Sequence, residues 1–368
     1  MVFGIHRRRL RILKNILKRP RVIVPLLQQK LFMGMMQNKT HSNFSPLALD
    51  IEPTAKCNFA CKYCQVSWWD RSAKVKNLTL EQFRKIVDQF PNLLQIKLQG
   101  MGEPLLNSEF FDMVAYATTK GIIVRTTSNG SLLNEKMIEK ALASGLGEIT
   151  ISMDGATKET FERIRKNGKF DMVVQNIRNL IQKRGKAKDP VVSVWMVGTK
   201  DNIQEFPKLV QLCKSLGVDM LYLQHHLNFW GDSAVMQQLE TLSINREQTK
   251  TGYTKEVDTI LAEAQRVAKK VRQPLTIYKG NTLQQDEKCI WPWSSAYISA
   301  DGYVVPCCII ANPAVKNFGN LQTQSFKDIW NSKGYQQFRQ TFIDGKPLDI
   351  CAGCYVGCKK KSAASVLG

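Results

Sequence analysis

Six short β-prone runs, each followed by a segment of helical period, constrain this chain more than any other feature. The runs are 47–53 (LALDIEP), 94–100 (LQIKLQG), 121–127 (GIIVRTT), 148–153 (EITISM), 191–197 (VVSVWMV) and 218–224 (VDMLYLQ). Amphipathic segments lie between them, near 79–90, 108–119, 134–143, 158–182 and 202–216. Strands separated by helices pair in parallel through right-handed crossovers, because a tight turn cannot accommodate the helix. The pattern predicts an α/β domain, and 368 residues leave room for a second, smaller one.

The first run leads into Thr54-Ala55-Lys56-Cys57-Asn58-Phe59-Ala60-Cys61-Lys62-Tyr63-Cys64, a C-x3-C-x2-C array. Thiolates this close serve a disulfide knot, a zinc site or an iron–sulfur cluster. A knot belongs to small secreted domains, and no secretory signal is seen. Zinc takes four protein ligands, and no fourth Cys or His lies nearby in sequence. Three cysteines can hold three corners of a [4Fe–4S] cube and leave one iron open to a ligand. Nine of the ten cysteines cluster at 57–64 and 289–358. That grouping suggests metal or iron–sulfur ligation in a reducing compartment, so a cytoplasmic location is expected. Cys213, alone in LVQLCKSLG, reads as a small buried hydrophobe.

With Tyr63 before its third cysteine, the array resembles the signature of the radical S-adenosylmethionine (SAM) superfamily. The resemblance implies a partial (β/α)6 barrel of TIM type over 46–229 and a [4Fe–4S] cluster on Cys57, Cys61 and Cys64. It implies SAM bound at the open iron and cleaved reductively to a 5′-deoxyadenosyl radical, which abstracts hydrogen from a substrate. The electron is expected from a flavodoxin- or ferredoxin-type reductant. Chemistry in such barrels sits at the C-terminal strand ends, and candidate residues fall there in turn. Gly100-Met101-Gly102-Glu103-Pro104 follows the second run. Glycines let backbone approach a ligand, and a carboxylate accepts hydrogen bonds from an ammonium group. The segment matches the family's GGEP motif, which meets the amino end of SAM, with Met101 as the departure. Ser128 and Asn129 lie in the turn after the third run. Ser152 and Asp154 follow the fourth, where the family places Ser or Asp against the ribose hydroxyls. Arg165, in the pattern I-R-x-x-G-x-F-D, matches an arginine that pairs with the SAM carboxylate. His225 follows the sixth run, where a histidine can take a substrate proton.

Residues 230–275 read as a helical linker, clearest over 254–272, and 276–368 as a cysteine-rich domain. The spacing Cys289-x12-Gly302-x4-Cys307 matches the opening of the SPASM and twitch extensions of radical SAM enzymes. Asp301-Gly302-Tyr303 reads as a hairpin turn. Cys308, Cys351, Cys354 and Cys358 complete the set. Six cysteines ligate one [4Fe–4S] cluster fully with two to spare, so one auxiliary cluster on Cys289, Cys307, Cys351 and Cys354 is favoured. Cys358 replaces one of these or serves a second, incomplete cluster. Cys308 is an alternative ligand, or a thiol that returns a hydrogen atom to a substrate radical. Zinc at this second group is the competing reading.

The net charge is +21, and residues 1–40 carry ten Lys/Arg and no acid. Over 1–45 the chain reads as a basic extension with an amphipathic helix at 7–19, ended by Pro20 and Pro25. Such a helix suits an acidic partner or the inner face of a membrane, unless it packs on the main domain. No apolar run approaches the roughly 18–20 residues of a span. The favoured activity is oxidation, cross-linking or epimerisation of a peptide or protein side chain. The alternatives are a radical oxidoreductase acting on a sugar, lipid-linked or other small molecule, an RNA-modifying enzyme, and a non-catalytic electron carrier. Nucleic acid fits poorly, because no separate RNA-binding domain or aromatic RNP motif is visible.

Overall fold

The computed structural model describes residues 16–17, 19–68, 76–224, 255–278 and 288–354. The six β-prone runs form strands β1 (Ala48–Ile51), β2 (Gln95–Leu98), β3 (Ile123–Ser128), β4 (Glu148–Ser152), β5 (Val191–Val197) and β6 (Met220–Gln224). They lie side by side in chain order, all parallel. The same sheet continues past both edges. On one side β7 (Leu275–Tyr278) pairs in parallel with β6. On the other, β8 (Ser295–Ile298) pairs in parallel with β1, and β9 (Val304–Val305) closes antiparallel on β8. The architecture is the parallel α/β sheet that the sequence predicts, and the cysteine-rich region adds its first strand directly to β1.

Alternation along the strands sorts the two faces. Leu49, Ile51, Ile96, Leu98, Val124, Ile149, Ile151, Val194 and Leu221 are buried in one core under the helices. These are α2 (Leu80–Asp88), α3 (Phe110–Thr119), α4 (Glu135–Ala143), α5 (Lys158–Ile164), α6 (Phe170–Arg184), α7 (Phe206–Leu216) and α8 (Lys255–Val271), labelled after the α1 described below. Polar caps fix their starts: Thr79 and Gln82 form a reciprocal capping box, and Asn134 and Thr157 cap α4 and α5. Cys213 is fully buried in α7. The opposite parity carries Asp50, Lys97, Arg125 and Glu148, which stand in register across β1–β4.

Three readings need correcting. The helical stretch 158–182 is broken, because Arg165–Lys166 leave the helix to pair with Ala60–Cys61 and Asn167 turns the chain with φ 70°. A Cβ at Gly168 would lie 2.8 Å from the Arg165 carbonyl oxygen, so the turn is tight enough to require glycine. Pro25 does not end a helix but lies in the first turn of α1 (Ile23–Met36), where its missing N–H costs nothing. Strand β7 was not foreseen, since LTIY is short and follows a segment read as a linker. Most of the basic stretch 7–19 lies outside the described residues.

The C-terminal region is tied to the barrel beyond the strand pairing, where the Phe326 N–H donates to Gln89 Oε1 at 2.7 Å and its ring packs on Phe90. Helices α9 (Phe326–Trp330) and α10 (Lys333–Ile343) present Trp330, Tyr335 and Arg339. The Arg339 guanidinium lies 4.4 and 4.5 Å from the Trp330 and Tyr335 ring centres and donates to the carbonyls of Thr40, Pro292 and Trp330.

Candidate iron–sulfur and SAM site

The cysteine loop leaves β1 at its C-terminal end and is pinned at three places. Cys61 pairs antiparallel with Arg165, and the Lys62 N–H donates to the Ile164 carbonyl at 2.9 Å. The Glu103 N–H donates to the Lys56 carbonyl at 2.7 Å. Gly102 explains the closeness of that last contact: a Cβ there would lie 2.4 Å from the carbonyl oxygens of both Thr54 and Lys56. The glycine lets the two loops touch backbone to backbone.

Cys57, Cys61 and Cys64 are half-buried and close enough for charge on one to disfavour charge on another. Burial chiefly pushes the Cys57 thiol up to about 11 and the Cys64 thiol up to about 12, and raises Cys61 as well. Free thiols here resist ionisation, so metal binding must supply the free energy that displaces their protons.

Glu103 is the hub of the second loop. Its carboxylate, 2% exposed, accepts from Ser128 Oγ at 2.7 Å, Asn129 N at 2.6 Å and Leu105 N at 3.2 Å. Burial outweighs these donors and raises its pKa to about 6. Asn129 in turn donates to Asn58 Oδ1 at 2.8 Å, and Asn58 donates to Ser131 Oγ at 2.9 Å. The turn after β3 therefore clamps both the Glu103 loop and the cysteine loop. Asn58 escaped the sequence reading because an exposed Asn in a loop carries no distinctive signal.

Arg165 lies beside Cys61, with Nη1 3.9 Å from the sulfur, and its Nη2 is 2.6 Å from Asp154 Oδ2. Burial works against its charge, but the neighbouring Asp154 and Cys61 more than compensate. Asp154 is fully buried, and its Oδ1 accepts from the Val197 N–H at 2.9 Å. The structure thus ties together Asp154 and Arg165, which the sequence reading assigned to different ends of SAM. Tyr63 is buried against the same carboxylate, and burial first, then Asp154, holds its phenol well above the ordinary range. Ser152 ends β4 in register with Trp195, and Pro104 opens a buried turn of 3₁₀ helix. His225 lies outside the described residues.

Glu52 was missed, although an acid closing an apolar strand is an audible signal. It is 2% exposed and accepts from Met101 N at 2.9 Å, Tyr297 Oη at 3.2 Å and Ala300 N at 3.1 Å. Burial raises its pKa to about 7. One side chain therefore links the Gly100–Pro104 loop to the C-terminal hairpin. Met101 packs toward that hairpin too, beside Tyr297, Tyr303 and Cys308.

The hairpin turns through Gly302 at φ +88° and sets Cys307 just past β9. Cys351 and Cys354 lie one turn apart on a 3₁₀ helix, whose three-residue period puts them on one side. Cys351 senses Cys354 and Cys289, Cys354 senses Cys289, and Cys307 senses Cys351, so these four thiols form one neighbourhood. Cys308 borders the same group, as a closer charge neighbour of Cys307 than Cys351 is. Besides Cys354 it senses Asp50 and Lys97, which places it between this neighbourhood and the polar face of the sheet. Cys358 lies outside the described residues.

Two family models match the sequence: the radical SAM superfamily over residues 51–213 and the SPASM iron–sulfur cluster-binding domain over residues 289–355. The chain carries a radical SAM domain and, after it, a SPASM domain. The radical SAM domain implies a [4Fe–4S] cluster and SAM, and the SPASM domain implies auxiliary iron–sulfur clusters. The residues present fit those groups. Soft thiol donors gather at both places, and Tyr63 Oη and Arg165 Nε are buried beside Cys61 without an aligned hydrogen bond. Those orphaned atoms are capacity that the polar groups of SAM would fill. Among the described residues, no three His, Cys, Asp or Glu side chains converge on a single ion.

Among related radical SAM proteins is a tungsten-containing aldehyde ferredoxin oxidoreductase cofactor-modifying protein of Pyrococcus furiosus, 26% identical over 79% of this chain and 82% of its own. An AdoMet-dependent heme synthase of Methanosarcina barkeri is 25% identical over 84% of this chain and 91% of its own. A PqqA peptide cyclase of Granulibacter bethesdensis is 23% identical over 83% of this chain and 79% of its own. In fold, the chain is similar to Streptococcus suis SuiB bound to its precursor peptide SuiA, with a TM-score of 0.64 at 14% identity, covering 86% of this chain and 71% of that one.

Proposed function

We propose that this radical SAM protein oxidises, cross-links or epimerises a side chain of a peptide or protein substrate. The observation that carries the reading is that two thiol groups are tied to one strand, β1, directly and through its pairing with β8. The Cys57/Cys61/Cys64 loop follows β1, and Cys307 follows the hairpin that pairs with β1, with Cys289, Cys351 and Cys354 in one neighbourhood with it. A [4Fe–4S] cluster held by Cys57, Cys61 and Cys64 would supply the electron for reductive SAM cleavage, and one held by Cys289, Cys307, Cys351 and Cys354 would accept or relay electrons. The protein's part is positional. Glu103 is oriented by Ser128 and Asn129 with lone-pair capacity to spare for an ammonium group. Arg165, buried and held by Asp154, directs positive charge beside Cys61 for a carboxylate. Ser152, at the end of β4, is the candidate for the ribose hydroxyls. His225 is the candidate substrate base and Cys308 the candidate hydrogen donor. A flavodoxin- or ferredoxin-type protein is the proposed reductant.

The peptide reading is supported by the relative named as a peptide cyclase. A second reading, a flat ring-bearing small molecule, draws on the cofactor-modifying and heme synthase relatives and on an aromatic cluster in the sheet. Trp195, Tyr222 and Tyr278 stand with ring centres 5.1–5.7 Å apart on β5, β6 and β7.

The first test is anaerobic iron and sulfide content for wild type and a Cys57/Cys61/Cys64→Ala variant, followed by reductive SAM cleavage. About eight irons falling to about four, with 5′-deoxyadenosine formed by wild type alone, is expected for two clusters. Zinc in place of iron, or no SAM cleavage, would sink the radical reading. Incubation with candidate peptides and with tetrapyrroles then separates the two substrate readings, by which class increases 5′-deoxyadenosine formation.

A further inference from the structure

Helix α1 turns an apolar stripe to solvent. Val24, Leu27, Leu31 and Met35 are 60, 50, 72 and 55% exposed. At 3.6 residues per turn they fall within an arc of about 80°. Leu17, just upstream, is 77% exposed. The other side of the helix is anchored. Leu26 packs on Val22, Leu47 and Leu94, and Gln29 Nε2 reaches the Ser294 carbonyl at 3.5 Å. Just before it, Arg19 donates to the carbonyls of Leu93, Gly121 and Pro91. These contacts all precede β1, β2, β3 or β8, so α1 is fixed beneath the N-terminal ends of the strands, opposite the cluster loops.

A run of large apolar side chains on an otherwise docked helix marks an interaction surface, and the charge around it selects the partner. Residues 1–49 carry ten Lys/Arg and neither Asp nor Glu. Arg21 and Lys39, flanking α1, are exposed. A second copy of the chain would bring the same stripe with the same positive charge, and the two would repel. An anionic lipid surface offers apolar depth and negative charge together, each nearby Lys or Arg adding to the attraction. No described helix is long and apolar enough to cross a membrane. We propose that α1 docks the protein on an anionic membrane surface, with Val24, Leu27, Leu31 and Met35 entering the interface and Arg21 and Lys39 meeting headgroup phosphates. Docked this way, the C-terminal strand ends and both thiol groups face the aqueous side.

The test is co-sedimentation of the full, cluster-loaded chain with phosphatidylcholine vesicles and with vesicles containing phosphatidylglycerol. Binding should require phosphatidylglycerol and fall with salt. A Leu27→Ser/Leu31→Ser variant should bind at least about tenfold more weakly, with unchanged circular dichroism and iron content. An Arg21→Gln/Lys39→Gln variant, which leaves the apolar stripe intact, should also bind more weakly at low salt. Equal binding to both vesicle types, no binding, or wild-type binding by both variants overturns the proposal. So does a leucine variant that instead converts a dimer to a monomer in sedimentation velocity, which would make the stripe a self-interface.

Discussion

Replacing Glu52 tests whether the SAM loop and the auxiliary hairpin share one buried support. In Glu52→Gln the amide oxygen can still serve Met101 N and Tyr297 Oη, but the amide nitrogen then faces the Ala300 N–H, 3.1 Å from the present oxygen. Two donors face to face in a dry site cost about 1–3 kcal/mol. Against this stands the burial of the carboxylate itself, which raises the pKa from 4.5 to about 7. Because the folded state holds the proton more tightly than the unfolded chain, wild type loses stability as pH rises between those values. The loss is at most about 3.5 kcal/mol, at about 1.4 kcal/mol per pKa unit. Glutamine does not titrate. The variant should therefore be less stable than wild type near pH 5, and the gap should narrow or reverse near pH 8. Anaerobic denaturant unfolding of both proteins at the two pH values measures this directly. A gap of the same size at both would refute the assignment of Glu52 as a buried, proton-binding link. Glu52→Ala leaves the Met101 and Ala300 N–H groups without their partner, so SAM cleavage and auxiliary iron retention should fall together.

Gly102→Ala pushes a Cβ against two carbonyl oxygens of the cysteine loop, so iron counts should fall by about four, leaving the auxiliary complement in place. Arg165→Lys keeps the charge but loses the planar fork, and SAM affinity in equilibrium dialysis should drop about tenfold or more. A variant that binds SAM normally would remove Arg165 from the site. Gly302→Ala forces a side chain into φ +88° at about 1–2 kcal/mol. Its melting temperature should fall by about 1–3 °C, with the auxiliary thiols becoming easier to alkylate.

The amino-acid sequence alone determined the six parallel strands, their order of use and the triad Cys57, Cys61 and Cys64, because alternating periodicity and thiol spacing are local properties. It also marked Glu103, Arg165 and the C-terminal cysteines through short motifs. Long-range pairing was not legible in it. That Arg165 would abandon a helix to pair with Cys61, that Asp154 would face Arg165, and that β8 would join β1 depend on segments up to some 250 residues apart meeting in space. Glu52 shows why. As an acid just past an apolar strand its burial could be suspected, but its partners, Met101, Tyr297 and Ala300, come from a loop and a hairpin that only the folded sheet brings together. The same holds for α1, whose apolar residues read equally well as core or surface until packing of Leu26 and Gln29 fixed which side was left to solvent.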